Sequence, residues 1–134
     1  MIIKSFELDR TSLEKYHFFL FYGENNGHKE EIIQKIVQKI KIKKTTYFEN
    51  EILSDSDVFF NSLSSKSFFE TEKLIVVSKV TDKFKGIIDE IFEKNFKDIT
   101  IILNADELNK KSKLRSFFEK EKSLICTPFY EDNY

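Results

Sequence analysis

Phe18-Phe19-Leu20-Phe21-Tyr22-Gly23-Glu24-Asn25-Asn26-Gly27-His28-Lys29-Glu30 is an apolar strand that runs into a polar, glycine-containing loop and then into a lysine opening an amphipathic helix. That is the layout of a phosphate-binding loop, G-x-x-x-x-G-K-[ST]. Gly23 and Lys29 hold their places in the pattern. His28 stands where the second glycine belongs, and Glu30 where the hydroxyl that helps hold Mg²⁺ belongs. A side chain at the second glycine obstructs the approach of backbone to phosphate. A carboxylate at Glu30 sits beside anionic phosphates. Gly27 precedes His28 in this loop. A plain strand–turn–helix with a chance lysine is the alternative reading of this stretch, because short glycine motifs match often by accident.

Working outward, four further β-like runs follow: Thr45–Phe48, Leu74–Val77, Ile99–Leu103 and Leu124–Phe129. Helical patterns lie between them. Ile32, Ile33, Ile36, Val37 and Ile40 share one face of a helix expected from about His28 to Lys41. Phe84, Ile87, Ile88, Ile91 and Phe92 mark another, expected to start near Asp82. Leu108, Leu114, Phe117 and Phe118 mark a third, expected to start near Glu107. Ser54-Asp55-Ser56-Asp57 reads as a cap for a short helix through Phe59, Phe60 and Leu63. Met1–Leu8 is a candidate extra strand. Strands alternating with helices predict an α/β, three-layer domain: a parallel five-stranded sheet with helices on both faces.

The totals fit one soluble domain spanning 1–134. Apolar residues make up 40% of the 134 and charged residues 34%, with a net charge of -1. No overall basic field draws such a chain to DNA or to a membrane. The single cysteine, Cys126, cannot form an internal disulfide and suits a reducing cytoplasm. Phe18 to Tyr22 is the longest apolar run, too short to span a bilayer. His17, His28 and Cys126 lack metal-ligand spacing. No nucleophile motif is present. Glu24 and the pair Asp106-Glu107 are available carboxylates, read as solvated or capping groups. Leu74-Ile75-Val76-Val77 is followed by Ser78 and Lys79 rather than by the acid that an ATPase carries after its third strand. Lys41, Lys43 and Lys44 end a helix, where cations suit the dipole. Lys110, Lys111, Lys113 and Arg115 are read as a solvated helical face.

Several segments together resemble the N-terminal domain of the delta subunit of the bacterial DNA polymerase III clamp loader. They are Phe21 to Glu30, Ser67-Phe68-Phe69-Glu70-Thr71-Glu72-Lys73-Leu74-Ile75-Val76-Val77, Ile101-Ile102-Leu103-Asn104-Ala105-Asp106-Glu107-Leu108, Lys111-Ser112-Lys113-Leu114-Arg115 and Cys126-Thr127-Pro128-Phe129-Tyr130. Their order and spacing carry more weight than any one of them. The resemblance implies a RecA-like, AAA+ first domain with strand order 5-1-4-3-2. It implies a degenerate nucleotide site at Gly23, Gly27, His28, Lys29 and Glu30, with no ATPase activity, no cofactor and no metal. It implies that the chain binds and opens the β sliding clamp during DNA replication, with Phe68 and Phe69 as the wedge.

Further partners implied by the resemblance are the other clamp-loader subunits, through domains beyond this fragment, and DNA only indirectly. No membrane partner is implied, and the location is cytoplasmic. The chain is then not an enzyme by itself. It belongs to a DNA-directed DNA polymerase holoenzyme, a nucleotidyltransferase assembly. The residues alone leave Phe68 and Phe69 open between core and surface. Neighbours diverge by about 100° on a helix and face opposite ways on a strand, so two adjacent rings do not readily share one core. The competing function is a P-loop NTPase or kinase with an atypical nucleotide site, and a passive scaffold is a third.

Overall fold

The computed structural model describes residues 1–10, 13–64 and 72–130. Within them the β-like runs become β1 (Phe18–Tyr22), β2 (Lys44–Phe48), β3 (Lys73–Val80), β4 (Ile99–Ala105) and β5 (Ile125–Pro128). The helices are α1 (Asn26–Ile40), α2 (Glu49–Ser54), α3 (Ser56–Ser64), α4 (Lys85–Lys94) and α5 (Lys113–Lys120). All strand pairs are parallel, and the order is β2-β3-β4-β1-β5. This is the expected 5-1-4-3-2 order read from the other edge. Phe19 lies opposite Ile102 on one side and Ile125 on the other, so β1 is the inner strand flanked by both late strands.

Side-chain alternation splits β1, β3, β4 and β5 between two cores. Phe19, Phe21, Leu74, Val76, Ile102 and Ile125 face α1, where Ile32, Ile33 and Ile36 meet them. Leu20, Val77, Ile101, Leu103 and Cys126 face the other way, against Phe59 and Phe60 of α3, Ile88 and Ile91 of α4, and Leu114 and Phe118 of α5. One long helix thus covers one face and several shorter ones the other. Burying an aliphatic or aromatic side chain of this kind contributes about 1.5–3 kcal/mol before entropy is counted. Near-continuous burial along β1 and β4 is what a doubly covered parallel sheet requires.

Four local readings are corrected. The opening segment is not a strand. Ile2 makes one bridge to Cys126, and the chain then turns into a 3-10 helix over Ser5–Arg10. The third helix starts at Lys113, not near Glu107. Asn109 Oδ1 accepts from the Lys111 N–H at 2.9 Å, and the Asn109 carbonyl from the Ser112 N–H, so 109–112 is a turn. Lys110 and Lys111 therefore lie on that turn rather than on a helix. Asp55, not Ser54, caps α3, accepting the Val58 N–H at 3.3 Å. Ser54 instead ends α2, a helix that follows β2 without a connecting loop.

Candidate functional site

β1 and β4 are neighbours, yet the helices that follow them, α1 and α5, lie on opposite faces of the sheet. The crevice outside the carboxyl ends of such a strand pair is where open α/β sheets bind ligands. The glycine loop leaves β1 at this crevice. Gly23 takes φ +120° there, open to glycine and strained for any other residue. Its N–H donates to the Asp106 carbonyl at the end of β4. A β-carbon on Gly23 would overlap the carbonyl oxygen of Phe129.

Asn25 begins α1. Its Oδ1 accepts the His28 N–H at 3.1 Å, a side-chain cap. Its own N–H points to the Phe129 carbonyl at 3.4 Å, and its Nδ2 donates to the Tyr130 carbonyl at 3.1 Å. Phe129 returns a bond from its N–H to the Tyr22 carbonyl at 2.7 Å. Gly27 sits in the first turn of α1, where an added β-carbon meets only Asn25 Oδ1 at 3.9 Å. His28 stands edge-on to the Phe129 ring with centroids 5.0 Å apart.

Lys29 is fully buried, and its ammonium donates to the Ala105 carbonyl at 2.6 Å. Burial lowers its pKa, and the Asp106 carboxylate works against that shift. Glu30 reaches across to β4, where its Oε1 accepts from Asn104 Nδ2 at 3.2 Å. Lys79 follows Ser78 at a bulge near the end of β3, in left-handed backbone geometry at φ 59°. Its ammonium is 4.0 Å from Asp106 Oδ2, and both groups are exposed. An exposed pair of that length stabilises by about 0–1 kcal/mol.

The nominal loop residues are thus brought together, and Gly23, His28, Lys29 and Glu30 each meet a partner inside the chain. The sequence reading missed Asn25, Asn104 and Phe129. An asparagine just before a helix is a capping signal and could have singled out Asn25. The other two depend on contacts between distant segments.

Beside the loop lies an open cleft of about 500 Å³, lined among others by Tyr22, Glu24, Glu107, Asn109, Arg115 and Tyr130. Arg115 stacks over the Tyr22 ring at 4.8 Å and donates from Nη1 to the Leu108 carbonyl at 2.8 Å. Burial pushes the Tyr22 phenol up to about 12. The Cys126 thiol, fully enclosed beneath α5, is pushed by burial to about 12 as well and stays protonated.

Phe68 and Phe69 lie outside the described residues. The segments on either side are close together: the Lys73 ammonium at the start of β3 donates to the Ser62 carbonyl in α3. Lys73 opens β3 at the amino end of the sheet, opposite the edge that carries the glycine loop.

No family model and no curated protein sequence matches the chain. Among solved structures it is similar to the Bacillus subtilis DNA clamp loader delta protein (YqeN), with a TM-score of 0.67 and 16% sequence identity. That likeness covers 96% of this chain and 43% of the other. The chain therefore spans less than half the length of its structural neighbour, and what the two share is the fold: a five-stranded parallel sheet covered by helices, as the resemblance implied.

Proposed function

We propose that this chain is the clamp-binding first domain of a bacterial clamp-loader delta subunit, with no ATPase activity of its own. The observation that carries the reading is the fold likeness to a clamp loader delta protein across almost the whole chain. It is supported by Phe68 and Phe69, which stand in the sequence where the resemblance puts the clamp wedge. The wedge would enter an apolar pocket on the β sliding clamp and help to open it during replication. Other loader subunits would be met by domains beyond this fragment, and DNA only through the assembled complex, in the cytoplasm.

The loop chemistry agrees with the absence of hydrolysis. The Lys29 ammonium is engaged by Ala105, Glu30 replaces the metal-holding hydroxyl, and Ser78 and Lys79 replace the acid after the third strand. A P-loop NTPase or kinase needs all three groups free for Mg²⁺ and phosphate.

The decisive experiment replaces both rings by alanine and measures binding to the immobilised cognate clamp together with the melting temperature. Burial of one phenylalanine in a pocket is worth roughly 1.5–3 kcal/mol, and truncation at a hot spot costs more than about 2 kcal/mol. The double variant should therefore bind at least about a hundredfold more weakly while melting as the parent does. Unchanged clamp affinity in a folded double variant would refute the wedge.

A further inference from the structure

The loop after β1 retains donors aimed at acceptors, but the acceptors belong to the chain itself. The Asn25 N–H faces the Phe129 carbonyl, and Asn25 Nδ2 donates to the Tyr130 carbonyl. Phe129 passes so close that Gly23 has no room for a side chain. The Phe129 N–H closes back onto Tyr22, and its ring rests against His28. Phe129 is buried, whereas Tyr130 is 73% exposed. This strap, Phe129 and Tyr130, thus passes from the core to the surface between two neighbouring residues.

We propose that this loop is a socket for the exit of its own chain. Through Asn25 it takes the carbonyl oxygens of Phe129 and Tyr130 with donors of the kind that a phosphate loop turns on phosphate oxygens, and so sets the direction in which Phe129 and Tyr130 leave the sheet. The chemistry is continuous with anion binding, because a carbonyl oxygen and a phosphate oxygen accept from the same kind of N–H. The difference lies in tethering. The pairing of β5 with β1 already holds these acceptors beside the loop. The strap in addition brings the Phe129–His28 and Phe129–Phe21 ring contacts that a free ion lacks. Direction is therefore built in and needs no ligand. The proposal stands independently of clamp binding.

Asn25 separates the two roles of the loop. Asn25→Asp keeps an oxygen to cap α1 but removes the Nδ2 donor. Asn25→Ser does the same without adding charge. The reporter is the Phe129 amide, which donates to the Tyr22 carbonyl where β5 leaves β1. Hydrogen exchange on the 134-residue chain should show the Phe129 amide exchanging about tenfold faster in both variants, with the amides of α1 unchanged. Addition of inorganic phosphate or of Mg·ATP to the unaltered chain should leave Phe129 exchange as it was. Unchanged Phe129 exchange in either folded variant would overturn the proposal. So would a change in that exchange on adding phosphate, since the loop would then still serve a free anion.

Discussion

Gly23 and Lys29 are the two residues that match a phosphate loop, and both are engaged structurally. Gly23 admits the Phe129 backbone. In Gly23→Ala the new β-carbon meets that carbonyl at an unfavourable φ, so unfolding in urea should show a loss of at least about 2 kcal/mol. A loss below about 0.5 kcal/mol would mean that the strap yields freely. Lys29 bridges α1 to the end of β4 from a fully buried position. Its folded pKa lies below the ordinary 10.5, chiefly through burial. The folded state then binds fewer protons than the unfolded state in the window beneath 10.5, so stability gains as pH rises through that window. Lys29→Met fills similar space without the charge and should lack this gain. Unfolding free energies of both proteins between pH 7 and 10 test it, and a difference that stays constant with pH would reject it. Neither role was legible in the loop alone. Lysine after a glycine loop reads as a phosphate ligand, and only the nearness of Ala105, far along the chain, turns it inward.

The start of α5 shows how one element caps another. Asp82 lies in the turn before α4, and its Oδ1 accepts from Ser112 Oγ at 2.7 Å and from the Leu114 N–H at 2.9 Å. Ser112 in turn accepts the Arg115 N–H at 3.0 Å. The Leu114 backbone bond, followed by the Ser112 hydroxyl, holds the Asp82 carboxyl below its ordinary 3.8. A carboxylate with a depressed pKa stabilises the fold above its unfolded value and loses that contribution as pH falls through the folded one. Asp82→Ala should therefore cost about 0.5–2 kcal/mol at pH 7, as cap losses do. The deficit should shrink below pH 3.8, and a deficit equally large at pH 3 would contradict this origin.

That long-range cap explains why the sequence placed the helix start too early. Leu108 is buried as Leu114 and Phe118 are and so reads as part of their helix, but the Asn109 turn intervenes. Four strands were legible because short apolar runs have no other way to hide two faces, and the largely exposed β2 was legible from its threonines and aromatic residues, which favour strands. α2 was not, since six residues after a strand give too little periodicity. Met1–Leu8 looked strand-like from its isoleucines, yet after one bridge Glu7 turns back to the Lys4 N–H at 3.1 Å and starts a 3-10 helix.

For the molecule as a whole, the engaged loop predicts indifference to nucleotide. A ligand present at a hundred times its dissociation constant stabilises by about 2.7 kcal/mol, which raises a melting temperature visibly in a domain of this size. Millimolar Mg·ATP should leave the melting temperature unchanged, and phosphate release should not exceed a blank. Turnover that disappears in Lys29→Ala would contradict the proposed role. The sheet order also governs how the chain comes into being. Among the described strands, β1 is made well before both of its neighbours, β4 and β5. At roughly 5–20 residues per second, Phe18–Tyr22 waits several seconds during synthesis before either partner strand exists. Its five consecutive apolar residues are meanwhile without the partners that bury them, and a short uncharged aromatic run left unpaired is a hazard for association with other chains.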